Sequence, residues 1–281
     1  MNPDVDWLDL CRRITARQAD LFEASTSIAE RSVYEGERGA GGDMTLELDR
    51  RCEDIVFEEL EAARPSDLPL LAISEERGEV RIGDGEPELR VVIDPIDGSM
   101  NVRRTIPSHS LSIAVASGDS MEDVDFGFVH DFGAREEFAA ERGGGATLNG
   151  RPIAPHGHEL GLEVVGLESA DPRWIGASIA ALEGKAYRLR SVGSIAITLA
   201  YVAAGRFDAM LSARQCRSVD AAAAQLIVRE AGGSLDFVDH ERSEAMLDLD
   251  ARYAVVAALD PEHLEVVREA QRAGAADSSL R

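Results

Sequence analysis

The sequence predicts an α/β protein whose N-terminal part is α+β, and two patterns indicate this class. Between Leu111 and Ala140, three short apolar segments are separated by turn residues, which is typical of antiparallel strands. From Glu163 onwards, strand-like and helix-like segments alternate, as in an α/β unit. With 281 residues, of which 44% are hydrophobic, the chain can form one large domain or two packed subdomains.

The N-terminal half also contains two predicted helices and a short strand ahead of these antiparallel strands. Apolar residues at helical spacing predict helices from Val5 to Tyr34 and from Leu46 to Ala63. The glycine-rich segment from Glu35 to Asp43 lacks the Lys-Ser/Thr ending of a phosphate-binding P-loop, and we interpret it as a flexible connection. A short strand is predicted from Leu68 to Ser74, and Asn149-Gly150 indicates a hairpin turn.

The composition changes between Ala154 and Gly161, where proline, glycine and histidine residues predict a hinge. We therefore expect an N-terminal subdomain of residues 1–154 and a C-terminal subdomain of residues 155–281. The elements predicted after the hinge are strands at Glu163–Leu167, Ala186–Leu189, Phe207–Leu211 and Ala254–Ala258, and helices at Pro172–Leu182, Ser191–Ala204, Asp220–Ala231 and from Asp260 onwards.

The charge of the chain is strongly negative, because 29 basic residues stand against 52 acidic ones for a net charge of −23. This argues against nucleic acid or an anionic membrane as partner. A phosphorylated substrate is compatible only if bound divalent metals reverse the local field. Cys11, Cys52 and Cys216 are few and widely spaced, no apolar run reaches membrane-span length, and no signal-peptide pattern is present. We therefore expect a cytoplasmic protein.

The most informative segment runs from Val91 to Asn101, where a β-branched strand leads into Asp94 and Asp97. A turn here can direct both carboxylates to one point, with the Ile96 carbonyl as a third oxygen donor, and Mg²⁺ prefers such ligands. The backbone amides of Gly98 and Ser99 can bind an anion beside that metal. The alternative is a turn in which the two aspartates only cap backbone donors.

Three further acids lie at positions that fit either a metal ligand or an acid with a purely structural role. Asp49 falls on the apolar arc of the second helix, Glu75 follows the strand that ends at Ser74, and Asp220 begins an alanine-rich helix. Glu75 can simply be part of a solvated loop. Asp220 can simply be an acid favoured by the helix dipole. The other interpretation makes them the missing ligands of the site at Asp94.

Together these segments resemble the inositol monophosphatase family, which includes fructose-1,6-bisphosphatase-like members. The D-P-I-D-G sequence is the most specific of the motifs, and the resemblance covers nearly the whole chain. The motifs are Asp43 to Asp49, Ser74-Glu75-Glu76, Asp94 to Asn101, Gly143 to Ile153, Val192 to Ala196, Gly205 to Ala209, and Val219 to Gly233.

The resemblance implies a layered α-β-α-β-α sandwich of the sugar phosphatase type, with two or three Mg²⁺ ions per site. The metal ligands that it implies are Glu75, Asp94, the Ile96 carbonyl, Asp97 and Asp220. Glu75, Asp49 and Ser99 are the implied catalytic residues, which orient the attacking water. The implied substrate contacts are Asp97, Gly98, Ser99, Gly193, Ser194, Arg214 and Asp220.

Two departures from the family pattern bear on the substrate. Val219 stands where a packing tryptophan is usual, which should leave metal binding intact. Ala213, followed by Arg214, stands where some inositol-specific members carry a glutamate that binds sugar hydroxyls. An arginine suits a second anionic group better than a hydroxyl, which weakly favours a bisphosphate or another sugar phosphate.

The sequence thus predicts a Mg²⁺-dependent phosphomonoesterase acting on a small sugar or inositol phosphate. From the resemblance we also expect inhibition by millimolar lithium and a homodimer. One alternative is a phosphatase of 3′-phosphoadenosine nucleotides, although only 5% of residues are aromatic and no stacking residue stands out. Another is a regulatory protein that keeps the fold without the chemistry, against which the complete set of acids argues.

Overall fold

The computed structural model describes residues 5–38, 44–154 and 161–278. The elements up to residue 154 are α1 (Trp7–Ala24), α2 (Ile28–Arg31), β1 (Tyr34–Arg38), β2 (Met44–Leu46), α3 (Glu47–Ala63), β3 (Leu70–Ser74), β4 (Gly78–Ile82), β5 (Leu89–Asp97), α4 (Ser99–Arg103), β6 (Ser110–Ala116), β7 (Val124–Asp131), β8 (Glu136–Glu141), β9 (Gly145–Leu148) and β10 (Arg151–Pro152). A short 3₁₀ turn at Met121–Asp123 precedes β7.

The elements after residue 160 alternate between strand and helix in their first part, as the sequence predicts. They are β11 (Leu162–Glu168), α5 (Gly176–Leu182), β12 (Ala186–Arg190), α6 (Ile195–Ala203), β13 (Ala209–Ser212), β14 (Cys216–Arg217), α7 (Ser218–Glu230), β15 (Ser234–Phe237), β16 (Arg252–Tyr253), β17 (Val255–Ala258) and α8 (Pro261–Ser278).

Two large sheets carry the fold. The first has eight strands in the order β10-β9-β8-β7-β6-β5-β3-β4, in which only β3 and β5 run parallel to each other. The second has five strands in the order β12-β11-β13-β17-β15, with a parallel half, β12-β11-β13, and an antiparallel half. The described chain also contains two small ribbons, β1-β2 and β14-β16.

Helices cover both sheets and separate them. Helices α1 and α3 pack on the outer side of the first sheet, α6 and α7 lie between the sheets, and α5 and α8 cover the far side of the second sheet. This arrangement is the α-β-α-β-α sandwich that the resemblance implies. The apolar cores follow the same layers, because each sheet buries apolar side chains against the helices on either side of it.

The middle layer explains two features of the sequence that look like composition bias. Helix α6 is apolar almost all round, as expected of a helix with a sheet on either side. Helix α7 contains the run Ala221–Ala224, whose four side chains are at most 1% exposed. Small side chains let the helix lie close to the first sheet. Gly127 on β7 continues this close approach, since a Cβ there would lie 2.5 Å from the Ala223 carbonyl oxygen.

Most of the predicted elements are confirmed, and the deviations have local causes. The antiparallel strands β6, β7 and β8 are present, and Asn149 and Gly150 both have positive φ in the β9-β10 hairpin. The predicted first helix is wrong in its length, because it ends at Ala24 and the separate α2 begins after the Ser27 cap. Residues Tyr34–Arg38 form a strand instead of a loop, whereas residues 39–43 lie outside the described structure.

The predicted hinge also falls largely outside the described residues, since the structure gives no account of positions 155–160. The division into residues 1–154 and 155–281 stays a prediction. Each sheet nevertheless draws its strands from one side of this gap. In the three described ranges, no helix combines the length and the apolar character that crossing a lipid bilayer requires.

The close approach of α7 to β7 yields a stability prediction. We expect Gly127→Ala to lower the free energy of unfolding by about 1–3 kcal/mol, because the added methyl group would meet backbone atoms that cannot turn away. Urea denaturation measures this. Gly176→Ala is the matched control, since Gly176 begins α5 with open space around its Cβ direction. Equal stability of the two variants would contradict this view of the middle layer.

Candidate active site

Parallel pairing of β3 and β5 brings the first two predicted metal ligands to the same sheet edge. Ser74 is paired with Ile93, so the next residues, Glu75 and Asp94, lie side by side where the two strands end. Neighbouring strands are about 4.8 Å apart, so the two backbones are close, and the Glu75 charge acts on Asp94. Two acids that are 19 positions apart in the sequence therefore lie close together.

The strand β5 changes register between Asp94 and Asp97, and this irregularity shapes the D-P-I-D-G segment. The Asp94 carboxylate accepts the Ile96 amide at 3.0 Å, a local turn that the capping alternative predicts. Ser99 donates its hydroxyl to the Ile96 carbonyl, also at 3.0 Å. Both aspartates are nevertheless buried, with 1% exposure for Asp94 and 9% for Asp97, so capping alone does not account for them.

Gly98 fits a position that other residues could not occupy. It precedes α4 with φ +103°, and a Cβ would lie 3.1 Å from the Ser108 carbonyl oxygen and 3.2 Å from that of Gly193. The left-handed backbone and the nearby carbonyls both favour glycine. As a result, segments from both halves of the chain meet at Gly98.

The last predicted ligand, Asp220, lies in the first turn of α7, the helix between the two sheets. The Arg217 amide donates to its carboxylate at 2.9 Å. Asp220 contributes to the raised pKa of Glu75, Asp94 and Asp97, which places its charge near all three. The close packing of α7 on the first sheet is what brings Asp220 there.

The electrostatics of this acid cluster, defined as Glu75, Asp94, Asp97 and Asp220, are those of a site that requires positive charge. Burial raises the pKa of Glu75 to about 8, and the charges of Asp220, Glu76 and Asp49 add to this effect, whereas the neighbouring Arg217 guanidinium opposes it. Burial and the Asp220 charge raise the pKa of Asp97 to about 8, despite the hydrogen bonds that it accepts. Burial and three neighbouring carboxylates raise the pKa of Asp94. Ionised acids here repel one another in a poorly solvated space.

Asp49 lies beside the cluster, on the inner side of α3, and is 5% exposed. Its Oδ1 atom is buried without a hydrogen-bond partner among the described residues. Burial, and next the Glu76 charge, raise the pKa of Asp49 to about 7. With Glu75 and Ser99 it lines a cavity of about 340 Å³, so the three predicted catalytic residues share one space.

The donor set fits a divalent cation in its chemistry, because Mg²⁺ prefers carboxylate and carbonyl oxygens and would relieve the repulsion within the cluster. The side chains do not close around a single point, however. In residues 5–38, 44–154 and 161–278, no three Asp, Glu, His or Cys side chains are arranged to bind a metal ion as they stand. Glu75 is paired instead with the Arg217 guanidinium. The expected ligands are therefore gathered but not arranged as a coordination shell.

A second cavity, of about 700 Å³, adjoins the cluster on the side of the C-terminal half. Asp97, Gly193 and Arg214 line it, together with Asn101 and Glu168. The exposed Arg214 guanidinium lies 5.4 Å from the centre of the Trp174 ring, a cation–π distance. No hydrogen bond or ion pair engages this guanidinium in the part of the chain that the structure describes. It is thus available to an anion that enters the cavity.

Ser194 is not among the residues that line this cavity, and its predicted contact with a substrate stays a prediction. It is 1% exposed and donates its hydroxyl to Asp97 Oδ2 at 2.7 Å. Gly193, with φ +82°, is exposed at the cavity wall. Ser194 therefore orients Asp97, one of the expected metal ligands, whereas Gly193 is exposed on the side from which a substrate would approach.

Sequence reasoning missed three residues that support the site. Glu53 on α3 is fully buried and accepts the Ser74 hydroxyl and the Arg77 amide, which fixes the turn that carries Glu75. It lies four residues after Asp49, so helical spacing could have identified it. Glu168 is an acid at the end of a strand, as Glu75 is at the end of β3, and this position in the sequence could also have identified it. The pairing of Arg217 with Glu75 depends on tertiary structure, and no pattern in the sequence indicates it.

Known proteins are similar to this chain in both sequence and fold. The profile of the inositol monophosphatase family matches residues 13–274. A fructose-1,6-bisphosphatase/inositol-1-monophosphatase from Methanothermobacter thermautotrophicus is 34% identical over 269 residues, covering 87% of this chain and 90% of that protein. A bifunctional NADP phosphatase/NAD kinase from Methanococcus maripaludis is 28% identical over 252 residues, covering 82% of this chain and 43% of that protein.

Among solved structures, the crystal structure of an inositol monophosphatase-fructose 1,6 bisphosphatase has a TM-score of 0.81 to this one. The two are 26% identical, and the match covers 94% of this chain and 99% of that chain. Since the family profile extends over nearly the whole sequence and the layered fold is the same, the chain belongs to the inositol monophosphatase family.

Proposed function

We propose that this protein is a Mg²⁺-dependent phosphatase that hydrolyses a small sugar or inositol phosphate ester. The observation that carries the proposal is the acid cluster, in which buried Asp94 and Asp97 of β5 lie close to the carboxylates of Glu75 and Asp220, and Gly98 and Ser99 follow directly in the chain. Buried like charges are costly unless a cation compensates them. A divalent cation together with a phosphate group satisfies both the carboxylates and the amides.

The expected ligands of the cation are Glu75, Asp94, Asp97, Asp220 and the Ile96 carbonyl. When bound, Mg²⁺ would neutralise phosphate charge and lower the pKa of an attacking water. Asp49 would accept the proton of that water at its Oδ1 atom, since a pKa of about 7 allows proton uptake near neutral pH. Glu75 and Ser99 line the same cavity and would orient the water.

Arg214 supports a substrate with a second anionic group. Its guanidinium lies at the rim of the larger cavity, against Trp174, and no carboxylate pairs with it in the described chain. A substrate phosphate bound at the acid cluster would place its organic part in this cavity. A bisphosphate would therefore gain a charge-assisted hydrogen bond that a monophosphate lacks.

A second candidate function is hydrolysis of a phosphorylated nucleotide. The relative from Methanococcus maripaludis, by its name an NADP phosphatase as well as an NAD kinase, favours this candidate. The larger cavity, at about 700 Å³, has room for a nucleotide. The two candidates differ in the leaving group and share the acid cluster, so one set of substrates can separate them.

The remaining expectations stay predictions. They are the count of two or three Mg²⁺ ions, inhibition by lithium, the homodimer, the cytoplasmic location and the two subdomains. The alternative of a regulatory protein also stays open to test by calorimetric titration of Mg²⁺ in the presence of phosphate. Absence of metal binding in that titration would favour the regulatory protein.

Asp94→Asn tests the central proposal, with phosphate release from inositol 1-phosphate, fructose 1,6-bisphosphate and 3′-phosphoadenosine 5′-phosphate as the measurement. We expect the parent to hydrolyse at least one ester only when Mg²⁺ is present. The variant should lose roughly a hundredfold or more in kcat/KM, because a catalytic metal contributes several kcal/mol. Exposed Asp84, replaced by Asn, serves as the control and should keep parental activity.

Near-parental turnover of the Asp94→Asn variant would remove this residue from the mechanism. Absence of phosphate release from every ester, by a parent protein that does bind Mg²⁺, would contradict the phosphatase proposal itself. Adding LiCl at fixed Mg²⁺ in the same assay tests the lithium prediction.

Arg214→Met tests the second anionic group. We expect kcat/KM for fructose 1,6-bisphosphate to fall about tenfold to a hundredfold, since a hydrogen bond to a charged group is worth about 1.5–3 kcal/mol. Activity on inositol 1-phosphate should stay within about threefold. Arg173→Met is the matched control, because Arg173 lies 5.6 Å from the same Trp174 ring but is paired with Asp171. Equal losses on both substrates would refute the specificity role.

The raised pKa values predict how Mg²⁺ stabilises the protein at different pH. In the unfolded chain, carboxyl groups release their protons at about pH 4, whereas Glu75 and Asp97 of the folded protein release theirs at about pH 8. Because the folded state therefore binds more protons between these values, the free energy of unfolding should fall as the pH rises from about 4 to about 8. Mg²⁺ should restore it, raising Tm by several degrees at about pH 8 and much less at about pH 5. Thermal melts measure this, and Asp94→Asn should reduce the shift. The same Tm increase at both pH values would be the contrary outcome.

A further inference from the structure

The segment Val192–Ala196, here called the linker segment, leads from β12 into α6 and lies between two buried carboxylates. Glu168, at the end of β11, is 1% exposed, and Asp97, at the end of β5, is 9% exposed. These carboxylates belong to different sheets. The linker segment is thus the element through which the second sheet reaches the acid cluster.

Glu168 uses both carboxylate oxygens on this part of the chain. Oε1 accepts the Val192 amide at 2.8 Å and Oε2 accepts the Gly193 amide at 2.9 Å. Oε1 also accepts the Thr198 hydroxyl at 2.7 Å. Because the carboxylate is planar and rigid, two bonds to successive amides fix the orientation of both peptides.

Asp97 accepts from the other end of the linker segment. The Ser194 hydroxyl and the Ala196 amide both donate to Asp97 Oδ2, each at 2.7 Å. With both donors on Oδ2, the rotation of the carboxylate is determined and Oδ1 is left for another partner. The direction in which Asp97 presents Oδ1 therefore depends on where the linker segment lies.

Little room exists for the linker segment to shift. Asn101 Nδ2 donates to the Val192 carbonyl at 2.8 Å and to the Ser108 carbonyl at 2.7 Å. A Cβ on Gly193 would lie 2.7 Å from the same Nδ2 atom. Glu168 on one side and Asn101 on the other thus fix the same peptides.

We propose that Glu168 is a positioning residue, which holds the linker segment so that Ser194 and Ala196 orient Asp97 toward a bound divalent cation. The inference rests on the proposed function, because Asp97 is one of the expected ligands there. Among the described residues, no hydrogen bond joins Glu168 to an acid of the cluster, although the Glu168 charge lies close enough to Asp97 to act on it. Its positioning effect reaches Asp97 through the backbone of the linker segment and then through the Ser194 hydroxyl and the Ala196 amide.

Glu168→Gln tests the inference, because the replacement has the same shape but turns one acceptor into an amide group that confronts a backbone N–H. We expect calorimetric titration with Mg²⁺ to show an affinity about ten times weaker, the usual scale for a partner of a ligand. Thr198→Val is the matched control. It removes one donor to Oε1 while leaving the bonds to Val192 and Gly193, and its Mg²⁺ affinity should stay within about threefold.

A double-mutant cycle with Ser194→Ala separates positioning from general destabilisation. If Glu168 acts through the linker segment, adding Glu168→Gln to Ser194→Ala should weaken Mg²⁺ binding by less than about twofold more. Additive losses would overturn the inference. Should Glu168→Gln not fold, Asn101→Ala loosens the same peptides from the other side and should also weaken Mg²⁺ binding about tenfold.

Measurements on the parent protein separate a failure of the role of Glu168 from a failure of the proposed function. Mg²⁺ binding and phosphate release by the parent, combined with unchanged Mg²⁺ affinity in the Glu168→Gln and Asn101→Ala variants, would overturn the role of Glu168 alone. A parent that neither binds Mg²⁺ nor releases phosphate would overturn the proposed function, and this inference with it.

Discussion

Repulsion among buried carboxylates is the constraint on which this structure depends. Glu75 and Asp94 are adjacent because β3 and β5 are parallel neighbours, and Asp97 and Asp220 are added from a bulge and a helix start. Desolvation and mutual repulsion raise the pKa of these groups, and such an arrangement persists only when the rest of the fold enforces it. The fold therefore holds several carboxylates close together despite their mutual repulsion, as expected at a site that binds a cation.

What enforces the arrangement lies mostly outside the site. Helix α7 can deliver Asp220 only because its alanines and Gly127 of β7 allow helix and sheet to approach closely. Buried acids then fix nearby backbone: Glu53 accepts from the turn that carries Glu75, and Glu168 accepts from the linker segment, which in turn donates to Asp97. Each of these supports is itself a carboxylate that accepts backbone amides. A chain rich in Asp and Glu thus uses some acids as scaffold and others as site.

The sequence was sufficient where the relevant forces are local. Strand alternation and the Asn149-Gly150 turn depend on neighbouring residues, and the structure agrees with them. The sequence was insufficient where contacts between distant parts of the chain determine the local structure. The break after Ala24 follows from a local cap at Ser27, but the strand at Tyr34–Arg38 exists only because Met44–Leu46 lies beside it. Likewise Ser194 looked like a substrate contact, and its burial against Asp97 arises only when the two sheets are assembled.

The same distinction applies to the basic residues, and it explains how so acidic a chain can receive an anion. Arg12, Arg13 and Arg206 are each paired with a glutamate, and Arg217 is paired with Glu75 inside the acid cluster. A guanidinium neutralised in this way contributes little attraction to a phosphate. Arg214 differs, because an aromatic ring holds it in place and leaves its donors available within the described structure. An aromatic support orients the charge without neutralising it, although the Asp171 carboxylate lies close enough to interact with it. The proposed attraction of a second anionic group therefore depends on this local arrangement and not on net charge.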